Sequence, residues 1–226
     1  MLNRIFLLTI LQLLFLLTPS KSNAQFSFQK VLDTVPHNMD FHDIKGVHGG
    51  DKTFADFDND GDLDLIVSGL NQYDDPRTDY YENIDGQGTF RNVIKGLQDH
   101  SYGVDTIDFN NDGNTDVILL GKVLSSQASV RLYENDGNSG FSPVSSISLE
   151  AFHIGRVKCA DYTGDGLTDI LLNGNSENYG VTTVLYINNG DETFTEVLST
   201  GMDGSFRGDM TIQDMNNDSR VDVIIH

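Results

Sequence analysis

The nine residues Asp56–Asp64, reading Asp-Phe-Asp-Asn-Asp-Gly-Asp-Leu-Asp, return along the chain at Asp108–Asp116, Asp161–Asp169 and Asp214–Asp222. Successive copies start 52, 53 and 53 residues apart. A landmark that returns at a fixed interval marks the same point of one structural unit printed several times. Four copies therefore imply four units, and the fold is a repeat architecture.

Each copy follows the pattern D-x-[D/N/T]-x-D-G-x-x-D. Side-chain oxygens stand at loop positions 1, 3, 5 and 9: Asp56, Asp58, Asp60 and Asp64 in the first copy; Asp108, Asn110, Asp112 and Asp116 in the second; Asp161, Thr163, Asp165 and Asp169 in the third; Asp214, Asn216, Asp218 and Asp222 in the fourth. Calcium takes six to eight hard oxygens in flexible geometry, and a tight turn supplies them at alternate positions with a backbone carbonyl added. Position 7 is held by Asp62, Asn114, Leu167 and Arg220, so its contribution is a main-chain carbonyl. Position 6 is Gly61, Gly113 and Gly166, as a turn that needs positive φ requires, but Ser219 in the last copy. Three full sites for Ca2+ and a departing fourth are expected. Two carboxylates ~4 Å apart repel by roughly 4 kcal/mol at an effective dielectric near 20, so loops this acidic resist closing without a counter-ion.

An EF-hand shares the first six positions but needs a bidentate Glu at position 12 and flanking helices. Here position 12 is Val67, Leu119, Leu172 and Ile225, and each loop runs into an aliphatic stretch such as Leu63–Val67 or Val221–Ile225 that reads as strand. Plain hairpin turns would explain Asp, Asn and Gly, but they place no demand on an Asp at position 9.

A second landmark keeps the same interval: Tyr81-Glu82-Asn83, Tyr133-Glu134-Asn135 and Tyr186-Ile187-Asn188, each followed by a Gly-containing turn and then Phe90, Phe141 or Phe194. Every unit thus reads strand, acidic loop, strand, connection, strand ending in Tyr-x-Asn, tight turn, strand opening on Phe. Four short antiparallel strands make a propeller blade. The predicted class is all-β, a β-propeller with about 3.5 to 4 blades in hand and a larger ring open to it. The strand from Phe26 to Val31 is predicted as an outermost strand without its blade, the last unit stops after the strand that follows its loop, and an open edge there invites self-association.

These motifs resemble the FG-GAP/VCBS repeat family of integrin-α-like calcium-binding blades, in its bacterial secreted form, over about residues 50–226. Thr163, Ser219 and the absence of the Gly-Ala-Pro element depart from the family pattern. The resemblance implies a calcium-stabilised propeller that serves adhesion or binding.

Residues 1–24 read as a signal peptide: Arg4, the largely apolar run Ile5–Leu17, then Ser22-Asn23-Ala24. That run is shorter than the ~20 residues a bilayer span needs, so no membrane span is expected after cleavage, and the protein is expected to be secreted, in the periplasm or at the cell surface. Cleavage removes two cations and no acid, moving the net charge from −20 to −22, which argues against nucleic acid. Thirteen of the acids are side-chain ligands of the loops, so much of this imbalance is local.

The acidic loops join strands one and two at one end of each unit. The opposite end is the candidate partner face. Eight residues before each loop stand His48, His100, His153 and Phe206, a set that could ring the propeller axis and take a metal or an anion. Tyr73 and Arg77, in the long connection after the first unit's second strand, belong to the same face, as do His37 and His42. Arg207-Gly208-Asp209 spells a receptor-binding tripeptide, but its Gly shares a repeat position with Gly50 and Gly155, which is reason enough for it. No His-Glu-x-x-His, Gly-x-Ser-x-Gly or phosphate-cradling loop is present, and Cys159 reads as a core residue. The expected function is a binding or adhesion module for a protein or glycan partner, with no catalytic residues; the alternative is a propeller enzyme, or the non-catalytic scaffold of an exported polysaccharide-acting protein.

Overall fold

In every repeat the acidic nonapeptide forms the turn between the first two strands. The computed structural model describes residues 44–226. The expected signal peptide, the strand Phe26–Val31, His37 and His42 lie outside the described residues. Strands β1 (His48–Ala55), β2 (Asp64–Leu70), β3 (Pro76–Asn83) and β4 (Phe90–Val93) pair antiparallel in chain order as the first sheet. The second is β5 (Gly103–Ile107), β6 (Asp116–Lys122), β7 (Ala128–Asn135) and β8 (Phe141–Pro143), and the third is β9 (Phe152–Ala160), β10 (Asp169–Ser176), β11 (Gly180–Asn188) and β12 (Phe194–Val197). A two-stranded sheet, β13 (Met210–Gln213) with β14 (Asp222–Ile225), carries the fourth loop. Among the described residues there is no helix, and none long and apolar enough to cross a membrane. This is the β-propeller blade pattern, with three whole blades and the two inner strands of another.

Both landmarks fall on element boundaries. Tyr-x-Asn closes β3, β7 and β11, and the Phe that follows opens β4, β8 and β12, paired directly across the turn as Asn83 with Phe90, Asn135 with Phe141 and Asn188 with Phe194.

The second strand of each whole blade is buried on both faces, which is why it reads as a near-continuous aliphatic run rather than an alternating one. In β6 the two faces serve different neighbours. Val117 and Leu119 pack with Phe57, Ile66 and Tyr80 of the first blade, whereas Ile118 and Leu120 pack with Phe152, Val157, Ile170 and Leu172 of the third. The core is thus a series of layers between blades.

Close approach of the first two strands fixes a glycine. A Cβ on Gly50 would lie 1.8 Å from the Ser68 carbonyl oxygen, one on Gly155 2.4 Å from that of Asn173, and one on Gly208 2.2 Å from that of His226. Gly208 therefore belongs to the strand pairing, which accounts for its place in the Arg-Gly-Asp tripeptide.

Candidate metal centre and partner face

All four loops close through one hydrogen-bond scheme. The first Asp spreads its two oxygens over the amides of positions 5 and 6: Asp56 takes Asp60 N at 3.1 Å and Gly61 N at 3.0 Å, Asp108 takes Asp112 N and Gly113 N at 3.2 and 3.1 Å, and Asp161 takes Asp165 N and Gly166 N at 3.2 and 2.8 Å. Asp214 takes Asp218 N at 3.2 Å and Ser219 N at 2.9 Å, so the fourth loop closes like the others. Position 5 then accepts the amide of position 7 in each copy. Ser219 holds φ +68°, beside +95°, +87° and +89° at Gly61, Gly113 and Gly166, so the serine adopts the left-handed backbone that position 6 demands. Position 4 makes the same demand. Asn59, Asn111, Gly164 and Asn217 all have positive φ, and Asn and Gly are the residues that tolerate it.

Within the first loop, one carboxylate oxygen from each of Asp56, Asp58 and Asp60 lies within 4.8 Å of the others. Burial raises the carboxyl of Asp58 above its ordinary range, and the neighbouring charges of Asp64 and Asp60 raise it further. Asp62 is raised in the same way, by burial, Asp60 and Asp64, and its Oδ1 is buried without a hydrogen-bond partner. Among the described residues no Lys, Arg or His forms an ion pair with a loop carboxylate. Converging hard oxygens, unneutralised and with one acceptor unpaired, fit a divalent cation such as calcium.

Position 9 has a second task. Asp64, Asp116 and Asp169 are buried, and each accepts amides from its own loop and from the Asn of Tyr-x-Asn. Asp116 takes Phe109 N at 3.1 Å and Asn135 N at 2.8 Å; Asp169 takes Tyr162 N at 3.0 Å and Asn188 N at 2.8 Å; Asp64 takes Asn83 N at 2.9 Å and the Tyr80 hydroxyl at 2.6 Å. Burial pushes the Asp116 carboxyl up to about 7, against those amides and with help from Asp112 and Asp108.

Position 2, which the sequence reading passed over, joins one blade to the next. Phe57 is fully buried, 5.5 Å from Phe141 and 6.0 Å from Tyr80 between ring centroids in edge-on geometry. Its carbonyl accepts the Asn135 side-chain amide at 2.8 Å, and the Phe109 carbonyl accepts that of Asn188 at 3.1 Å. The first two loops also touch, Asn59 Nδ2 donating to Asn114 Oδ1 at 3.2 Å. The signal lay in the sequence as an aromatic at this position in three copies, Phe57, Phe109 and Tyr162.

At the other end of the blades the His/Phe set does not converge. His100 is fully buried. Its Nδ1 lies 2.9 Å from the Gln98 carbonyl and its Nε2 3.1 Å from Ser129 Oγ. A carbonyl only accepts, so Nδ1 carries the proton and Nε2 receives the hydroxyl's. Burial lowers its pKa to about 4, so this histidine is a neutral structural group. With Asp99 it ties blades one and two, Asp99 accepting Thr78 N and the His100 carbonyl accepting the Ser68 hydroxyl. His48 and His153 each meet a carboxylate from the connection after the second strand, Asp74 and Glu177. Phe206 is half exposed, with the Arg207 guanidinium 5.7 Å from its ring centroid. Tyr73 is 75 % exposed. Arg77 pairs with Asp79 on the edge of a separate cavity of about 480 Å³ that also takes in Asn92, Lys95 and Leu124. Cys159 donates its amide to Asp105 at 2.8 Å, and burial pushes its thiol well up, away from nucleophile chemistry.

No curated protein matches the chain. Among solved structures, an Agrocybe aegerita lectin, studied for its specific recognition of non-reducing terminal N-acetylglucosamine, is similar at 24 % identity and a TM-score of 0.47, over 76 % of this chain and 45 % of the lectin. This chain thus spans about half the length of that protein. The model of the FG-GAP-like repeat matches residues 56–119, 108–172 and 161–225 in three overlapping copies, each running from one acidic loop past the next. The chain belongs to the FG-GAP-like repeat family.

Proposed function

We propose that this chain is an exported β-propeller binding module whose acidic loops hold structural calcium, while the opposite face contacts a protein or glycan partner. The observation that carries the calcium reading is the gathering of Asp56, Asp58 and Asp60 oxygens within 4.8 Å with no Lys, Arg or His among the described residues paired to them. Asp56, Asp58, Asp60, Asp64 and the Asp62 carbonyl would hold the ion in the first loop, and the equivalent residues would do so in the other three. The ion would supply positive charge where the described residues supply none, offsetting carboxylate repulsion in turns whose neighbours link one blade to the next. The partner reading is supported by exposed Tyr73 and half-exposed Phe206 and Tyr179, aromatics of the kind enriched at binding surfaces, all at the end of the blades away from the loops.

Melting curves test the calcium. A ligand present at 100 times its Kd stabilises by about 2.7 kcal/mol per site, so calcium should raise the melting temperature by several degrees over chelator. Asp60→Ala with Asp112→Ala disables two of the four loops and should remove about half of that gain. Identical curves with calcium and with chelator would refute the assignment. Binding screens against glycans and cell surfaces, repeated with Tyr73→Ala, test the partner face.

A further inference from the structure

The first strands of the repeats begin around a cavity of about 440 Å³ on the face away from the acidic loops. Its walls include His48 and Asp74 of the first blade, Tyr102 of the second, Ile154 and Arg156 of the third, and Arg207 ahead of the fourth. Over the whole chain acids outnumber Lys and Arg by 34 to 14. Two guanidiniums line this cavity against the carboxylates of Asp74 in its wall and Asp209 beside Arg156, so the site carries none of the acidic excess of the chain as a whole.

Arg156 is held by the protein, whereas Arg207 is exposed. Arg156 reaches across to the first blade, Nη1 lying 3.4 Å from the Gly49 carbonyl and 3.1 Å from its neighbour Gly155's, while its Nε lies 3.5 Å from Asp209 Oδ1. Arg207 stands over the Phe206 ring and, among the described residues, has no carboxylate partner. Asp74 is aimed at His48 by a turn in which the Asn71 side chain accepts the amides of Tyr73 and Asp75, leaving His48 Nε2 3.1 Å from Asp74 Oδ1. A guanidinium presents paired N–H donors whose spacing matches the two oxygens of a carboxylate. Tyr102 and Ile154 add an apolar wall for a ring to lie against, and the volume suits one or two sugar units.

We infer that this cavity binds a carboxylate-bearing sugar, a uronic acid unit, with Arg207 and Arg156 on the carboxylate and Tyr102 against the ring. The inference rests on the reading of this face as the binding face and names the ligand class for it. It is tested by calorimetric titration of the full chain in calcium with glucuronate, glucose and sulfate, and by repeating the titration on Arg207→Gln. Glucuronate should bind, glucose should not, and Arg207→Gln should weaken binding roughly 10-fold or more without moving the melting temperature, because this side chain is exposed. Absence of glucuronate binding, equal binding of glucose or sulfate, or unchanged affinity in Arg207→Gln each overturns the inference. A neutral glycan captured in the binding screen and lost on Tyr73→Ala would leave the partner face standing while the uronate fails; a null screen as well removes both.

Discussion

The asparagine of Tyr-x-Asn offers a test of how the blades are joined, because its three copies have different partners. Asn135 donates to its own loop at Thr115 O, 2.9 Å, and to the preceding blade at Phe57 O, 2.8 Å. Asn188 does the same with Thr168 O at 3.2 Å and Phe109 O at 3.1 Å. Asn83 reaches only Leu63 O of its own loop, at 3.3 Å, among the described residues. All three side chains are buried and all accept one glycine amide. Each hydrogen bond contributes about 1 kcal/mol net, and a buried carbonyl left without a donor adds about 1 to 3. Asn83→Ala should then cost about 2 kcal/mol. Asn135→Ala should cost about 3, since the Phe57 carbonyl keeps the Ser139 amide at 3.0 Å. Asn188→Ala should cost most, about 4, because the Phe109 carbonyl has no other donor among the described residues. Urea unfolding in saturating calcium, extrapolated to water, reads these differences directly. If Asn83→Ala costs as much as the other two, the bond between blades carries no stability.

His100 gives a pH test. Its folded pKa of about 4 lies below the 6.5 of an exposed imidazole, so the unfolded chain takes up a proton first as pH falls. Its contribution is fully present above about 6.5 and is lost between there and about 4, by about 3 kcal/mol. Asp116, raised to about 7, works in the opposite direction over the same range. The measurement is therefore the difference in stability between wild type and His100→Gln, which should shrink as pH falls; a pH-independent difference refutes the assignment. In the fourth loop, Ser219→Gly should relieve the left-handed backbone at φ +68° by up to about 1 kcal/mol. Calcium titration should show that loop tightening up to about 5-fold, and an unchanged or weaker site would show that the serine is not what limits it.

The nonapeptide and the Tyr-x-Asn landmarks located strand boundaries because the chemistry they encode is local: a turn closed by its own Asp, and an Asn and a Phe paired across one turn. What the repeat interval could not convey was environment. His48, His100 and His153 share a repeat position, yet one meets Asp74, one is sealed between Gln98 and Ser129, and one meets Glu177. The repeat sets where each backbone lies, while the surroundings come from the neighbouring repeat and from connections that differ in length and sequence. Position 9 shows the converse. Its Asp looked like a plain metal ligand because its amide partner at Asn83, Asn135 or Asn188 lies 19 residues further on, although the strict phase of both motifs was the available clue.

That double use of position 9 bears on how calcium would act. Asp116 receives two backbone amides and still has its carboxyl pushed up to about 7, so desolvation and the charges of Asp112 and Asp108 outweigh the hydrogen bonds. A cation in the loop would reverse that balance, keeping Asp116 ionised and its bond to Asn135 charge-assisted. Asn135 in turn holds the Phe57 carbonyl of the preceding blade. Ion binding within one loop would thereby strengthen the bond between two blades. A double-mutant cycle between Asp112→Ala and Asn135→Ala in calcium should then show coupling of about 1 kcal/mol that vanishes in chelator, whereas strict additivity in both conditions would mean that calcium only closes its own turn.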